Sequence, residues 1–420
     1  MAETSASKLS KRIHTDGSTH YKGTTAPANP VEGDLWYDTT ASSLKSYNGT
    51  EFVKVSAAIP TLSSISGDIT SGSASNLTLS GTNFLSSNLV VNFVQVSDSI
   101  DVDVTVTPSS DTAATVAVPS SVYDNVTTGN AVTIKVTNSD SVESNTVNKT
   151  AIQGPYSADF LVIGGGGRGA YEGGGGAGGY RTSYNSETSG RGSSAQTALT
   201  FTSGTVYTVT IGAGDPGDAT QNGTAGTADS TSISGSDIST VSSTGGGGGG
   251  YAGGTKAGAN GGCGGGGSSS SGAGGSGTAN EGYDGGTNAG GGGGAGSAGS
   301  TGYGGTGGAG LASTITGSSV TRASGGSGAP ASSGTVAAQA GGGGFGAFNG
   351  DAGDGVANTG GGGGGYWEGG NGTAGDGGSG VVILRILASA YSGTTSGSPT
   401  VVDDGLYKVI TFTGSGSITG

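Results

Sequence analysis

The chain has 420 residues, 96 of them glycine, with 10% charged residues and a net charge of −14. Its acidic balance, with no stripe of Lys and Arg, argues against binding nucleic acid or an anionic membrane, since both need cations that displace counterions. No run of about eighteen apolar residues is present to span a bilayer as a helix, and the single cysteine, Cys263, leaves no internal disulfide. Glycine is unevenly spread: 81 of the 96 fall in residues 156–386. The flanks are ordinary in composition, so domain boundaries are expected near 155 and 387.

Residues 1–26 are polar and weakly basic (Lys8, Lys11, Arg12, Lys22) and lack the apolar core of a signal peptide. Two readings stand: a flexible arm, or a peg that orders on docking to a larger assembly. The next stretch, residues 27–57, predicts a three-stranded β-meander. Leu35 to Tyr37 and Leu44 to Tyr47 are strands, Asn48-Gly49 is a hairpin turn, and Glu51 to Val55 is the third strand. Trp36, Tyr37, Tyr47 and Phe52 are too many aromatics for so short a unit to bury alone, which points to packing on a neighbour or another copy. The phrase "PANPVEGDLWYDTTASSLKSYNGTEFV" resembles a small module of bacteriophage tail fibres and other virion appendages.

Residues 58–153 read as about seven short strands with turn signals roughly every ten residues, an all-β sandwich. Val102, Val104 and Val106 alternate with polar residues, as do Val132, Ile134 and Val136, giving each strand one buried face. "PTLSSISGDITSGSASNLTLSGTNF" and "GNAVTIKVTNSDSVESN" resemble the IPT/TIG branch of immunoglobulin-like domains, which implies a spacer or interaction module.

The glycine block, 154–388, opens on the strand "DFLVI" (159–163) and closes on "GSGVVILRIL". Two apolar strands bracketing the block are expected to lie side by side in one sheet, so that the glycine text grows from a β scaffold. A flexible linker would not need those brackets. Fixing each glycine costs roughly 0.5–1 kcal/mol relative to alanine, and few side chains are present to offset it. Backbone hydrogen bonds can, at a net ~1 kcal/mol each. Polyproline-II helices allow this, because every N–H and C=O points outward to a neighbour. The pure runs 245–250, 290–294 and 360–365 are the expected central helices. Collagen is excluded by the loose glycine period and by only two prolines in residues 156–386. "GGGGRGAYEGGGGAGGYR", "VTIGAG", "GGGGGGY" and "GGSGVVILRI" resemble, in that order, the glycine-rich domain of tailed-phage fibres and adhesins. That resemblance implies stacked polyproline-II helices whose tip loops recognise the host surface. Residues 389–420 predict a short strand pair about "DDG", a small β-unit that docks on the scaffold or on a following protein.

Catalysis is not expected. His14 and His20 both lie in the polar arm, Cys263 has no nearby base, and the G-x-G of "IGAGDPGDAT" precedes no helix and no lysine. Asp215 and Asp218 share a turn that is read as solvated. No metal or cofactor is expected. The residues with binding chemistry are the aromatics in the glycine text and the carboxylates beside them: Tyr171, Glu172, Tyr251, Tyr283, Asp284, Tyr303, Phe345, Phe348, Tyr366, Trp367 and Glu368. Aromatic faces stack on sugar rings and anchor interfaces generally, while carboxylates accept hydroxyl hydrogen bonds. The alternative for several of them is to cap the junction between bundle and scaffold. Together these features predict a virion appendage that attaches to the host surface, made in the host cytoplasm. Its expected partners are other virion proteins at the N-terminal region and a surface glycan or outer-membrane protein at the tip, with the chain itself a homo-oligomer. The rival readings are a structural virion component without receptor binding, an ice-binding protein, and a fibre-borne glycan hydrolase.

Overall fold

The computed structural model describes residues 12–13, 19–41, 43–55, 59–216, 226–254, 256–269, 271–367 and 372–420. His14, Asp218, Glu368 and most of the basic arm lie outside them. The fold is all-β, with 36% strand against 4% helix, and no described helix is long and apolar enough to cross a membrane. Two compact units divide the chain, Met1–Gly154 and Pro155–Gly420.

The first unit begins with a five-stranded sheet in chain order: Arg12–Ile13, Thr19–Gly23, Leu35–Asp38, Ser43–Tyr47 and Phe52–Lys54. It is wider than the meander read from sequence, because Thr19–Gly23 pairs in parallel with Leu35–Asp38. The indole of Trp36 donates to the Gly23 carbonyl at 3.2 Å, which ties this earlier strand in place. Trp36 is buried, with Phe52 edge-on at 5.4 Å and the Lys45 ammonium 4.8 Å above its ring. Lys45 also pairs with Asp38 at 2.9 Å. Tyr47 lies 5.2 Å from Phe52. Tyr37 faces the other way and is exposed, so it does not join this small core.

The same unit holds a sandwich. A five-stranded sheet (Ile100–Val106, Leu89–Gln95, Ala131–Thr137, Val147–Ile152, Ile69–Thr70) shares one core with a three-stranded sheet (Ala113–Ala117, Asn76–Thr82, Thr61–Ser66). Val132, Ile134 and Val136 are fully buried, as their alternation predicts. "PSSVY" forms a short helix, Ser120–Tyr123, that closes the core with Val122.

In the second unit the bracketing strands do pair: Tyr156–Ile163 runs antiparallel to Val381–Leu387. Tyr407–Phe412 and then Thr400–Asp404 extend that sheet on one side, while Tyr180–Thr182 and Leu199–Phe201 both pair with Tyr156–Ile163. The second sheet orders Ile238–Ser243, Thr231–Gly235, Val206–Thr210, Gly416–Thr419 and Thr395–Ser396. Residues 389–420 thus supply strands to both sheets and are part of the scaffold, where the sequence suggested a separate unit. The reason is packing: Ile410, Phe412 and Ile418 fill the same core as Phe160, Phe201 and Tyr207.

The glycine segments leave from the ends of these strands. Chain 164–170 runs out and 173–179 runs back, joined by N–H···O bonds from Gly164 to Gly179, Gly167 to Gly176 and Ala170 to Gly173 (2.8–3.1 Å). The bonds recur every third residue, whereas β ladders repeat every second. Six successive residues, 174 to 179, donate in turn to Gly290, Gly363, Gly247, Gly293, Gly360 and Thr244. The N–H groups of this segment therefore meet three different neighbours in rotation, while its carbonyls accept from three others, through Gly167, Cys263 and Gly326 among the donors. All three pure glycine runs border 174–179, so the innermost segment is "GGGAGG". Its alanine is tolerated because Ala177 packs into the apolar cluster at the scaffold with Leu161, Ile163 and Val381. Elsewhere the spacing is too close for a side chain: a Cβ on Gly175, Gly246 or Gly362 would collide with carbonyl oxygens of the adjoining segment.

Candidate functional site: an aromatic cluster at the far end of the glycine segments

Where the outward segments end, aromatic residues gather. Tyr171 follows eight residues after Ile163, the end of one scaffold strand, and Tyr251 follows eight after Ser243, the end of another. The outward run 360–365 leads to Tyr366 and Trp367. Backbone bonds lock the ends together. Glu172 N donates to Tyr366 O at 2.8 Å, Tyr366 N to Ala170 O at 3.1 Å, Trp367 N to Ala347 O at 2.9 Å, and Ala329 N to Glu172 O at 2.9 Å.

Trp367 is the hub. Tyr303 lies 5.0 Å from it, Tyr171 6.0 Å away at an interplanar angle of 30°, and Phe348 6.4 Å away at 13°. Tyr171 also meets Tyr251 and Tyr366 edge-on at 6.0 and 5.7 Å. Tyr366 is 1% exposed and forms the floor with Ala347, Ala352 and Ala374. Tyr303 is 48% exposed, and Trp367, Tyr171, Tyr251 and Phe348 are half-buried. Phe345 is exposed a few residues before Phe348.

Glu172 does not point outward as a hydroxyl acceptor would. It is 1% exposed, and its carboxylate accepts from the backbone N and the Oγ of Ser269. Tyr283 and Asp284 lie apart from the cluster: the Arg191 guanidinium sits 5.6 Å from the Tyr283 ring and forms a forked pair with Asp284 at 2.8 and 3.3 Å. That guanidinium holds the Asp284 carboxyl below the usual carboxylate range, helped by the Gly277 N–H. Sequence reasoning missed Arg191 and Ser269. A lone arginine between two glycines in "SGRGSS" was the available signal for the first, and the structure holds it at φ +59°. The second is marked only by the serines that end a glycine run.

The other chemical candidates are structural. Cys263 is fully buried, its thiol pushed up by burial, and it packs where a Cβ on Gly282 would fall. In the G-x-G loop the N–H groups of Gly212 and Asp215 are already used, by Thr231 Oγ1 and Gly166 O. Asp215 is raised chiefly by burial, against the opposing effect of Arg168 3.7 Å away. His20 sits in a strand, in register with Leu35. Among the described residues no group of three or more His, Cys, Asp or Glu is placed to hold a metal ion.

The family model described as "Glycine-rich domain" matches residues 141–387. That is well over half of the chain, which therefore belongs to this glycine-rich domain family. No curated protein and no solved structure matches it.

Proposed function

We propose that this chain is a virion appendage of the tailed-phage fibre or adhesin type that attaches to the host surface through the aromatic cluster. The observation that carries the reading is the convergence of Tyr171, Tyr303, Phe348 and Trp367 at the end of outward glycine segments. On this reading the segments are polyproline-II helices. The three-residue repeat of their hydrogen bonds supports it, since such a helix has three residues per turn and no internal bonds. At a rise of about 3.1 Å per residue, Tyr171 stands about 25 Å beyond the scaffold strand it follows. The sandwich of residues 58–153 serves as an IPT/TIG-type spacer, and the N-terminal sheet joins other virion proteins. Attachment requires no bond making and no cofactor.

The test is binding of fluorescently labelled full-length chain to a panel of bacterial strains, beside Trp367→Ala and Tyr303→Ala. Strain-selective binding that both substitutions weaken is expected. Selective binding that neither changes moves the site elsewhere, and no binding to any strain favours a structural appendage.

A further inference from the structure

Three features of the cluster bear on the chemistry of what it binds. The first is charge. The described rings are uncharged, and the carboxylate of Glu172, next to Tyr171, is turned inward and spent on Ser269. With a chain at −14 overall, an anionic ligand would approach against the field. The second is shape. Tyr171 and Phe348 lie within 30° and 13° of the Trp367 plane, so these ring faces are broadly co-oriented, and Tyr303 is half-exposed beside them. The third is polarity. Among the described residues neither the Trp367 indole N–H nor the Tyr303 hydroxyl has a hydrogen-bond partner, although both belong to amphipathic rings that find one when buried. Glycine turns border the same rings. Gly302 precedes Tyr303, Gly334 accepts from Phe348 N at 3.1 Å, and Gly350 follows Phe348 by two residues. Each has a positive φ and open space where a side chain would stand; the Gly302 N–H is already given to Thr287 O, so it is at Gly334 and Gly350 that ligand atoms can approach the backbone.

We infer that the cluster binds an uncharged hexopyranose of a surface glycan. The C–H face of the sugar lies over Trp367, with the Tyr303 ring, tilted 59° to it, alongside, and its hydroxyls bond to the Trp367 N–H, the Tyr303 hydroxyl and the turns at Gly334 and Gly350. The inference rests on the attachment reading above and specifies its ligand. An apolar protein loop would satisfy the rings but leave the two side-chain polar groups unmatched, and a sialylated or phosphorylated glycan would be repelled.

The experiment is saturation-transfer NMR and titration of the full chain with methyl β-glucoside, methyl β-galactoside, N-acetylglucosamine, sialic acid and a phosphorylated hexose, in parallel with the cell assay. Expected is binding of at least one neutral sugar with a dissociation constant on the order of 1 mM, as a single small ring allows. It should weaken at least tenfold in Trp367→Ala and less in Trp367→Phe, which keeps a ring face but loses the N–H, with both variants still folded by thermal melt. Stronger binding of the charged sugars overturns the inference. So does the absence of any sugar binding while cells are still bound through Trp367, which points to a protein receptor and leaves the attachment reading standing. Cell binding that Trp367→Ala leaves unchanged moves the site away from the cluster and overturns the inference alone, and no binding to any strain overturns both.

Discussion

Glu172 and Ser269, 97 residues apart in sequence, meet in the interior beside the aromatic cluster, where Ser269 gives the carboxylate both its backbone N–H and its hydroxyl, the latter at 2.6 Å. Glu172 holds a left-handed backbone (φ +88°) while doing so. Glu172→Ala should destabilise the second unit by about 1–3 kcal/mol, the cost of leaving buried polar groups unpaired. Glu172→Gly removes the same carboxylate but relieves backbone strain of roughly 1 kcal/mol, so its loss should be smaller. Thermal melts of the two variants in parallel test the order, and equal losses would show that the backbone carries no strain.

The glycine segments make a sharper demand. Gly175→Ala places a methyl group against the carbonyls of Gly167 and Arg168 in a segment that has neighbours on all sides. A loss of about 3 kcal/mol or more, or failure to fold, is expected. Gly414→Ala meets nothing and should melt within about 0.5 kcal/mol of the parent. Comparable melting of both variants would mean that the segments are not closely packed.

Cys263 is fully buried and its thiol is raised by desolvation, so little thiolate exists at neutral pH. The native chain should not react with a thiol reagent such as DTNB within hours, whereas the denatured chain should release one equivalent at once. Prompt labelling of the native protein would show that the segment around residue 263 opens readily.

Asp284 gives a pH signature. Its carboxyl is lowered in the folded chain, first by Arg191, relative to about 3.9 when unfolded. A lowered carboxyl contributes stability that is fully present above the unfolded value and is lost as pH falls through the folded one. The difference in melting temperature between the parent and Asp284→Asn should therefore be constant above about pH 5 and shrink on acidification below about pH 4. A difference independent of pH down to 2 would show that the pair contributes through shape alone.

Much of this was legible in the sequence because it depends on local pattern. The alternation of Val132, Ile134 and Val136 gives a buried sheet face, and the apolar strands at either end of the glycine text pair as expected. Tyr171, Tyr251, Tyr303, Phe348, Tyr366 and Trp367 were identifiable as large side chains in a text that has few of them. Whether each faces solvent was not legible: Tyr366 and Glu172 sit inside, because that depends on segments tens of residues away in the chain. The same holds for Tyr283 and Asp284, which Arg191 draws into a different place. Strand Thr19–Gly23 was missed because its partner is parallel and its anchor is a single indole N–H.

The hydrogen bonds between glycine segments return to the same neighbour at every third residue, and this imposes an arithmetic on how such a chain can change length. Adding three residues to an outward segment and three to its return preserves every facing and carries the end loop farther out. Adding one or two rotates all later amides onto the wrong neighbours. Insertions and deletions in these segments should therefore be tolerated in triplets of amino acids, while the loops that carry Tyr171, Tyr303 and Trp367 remain free to vary one residue at a time.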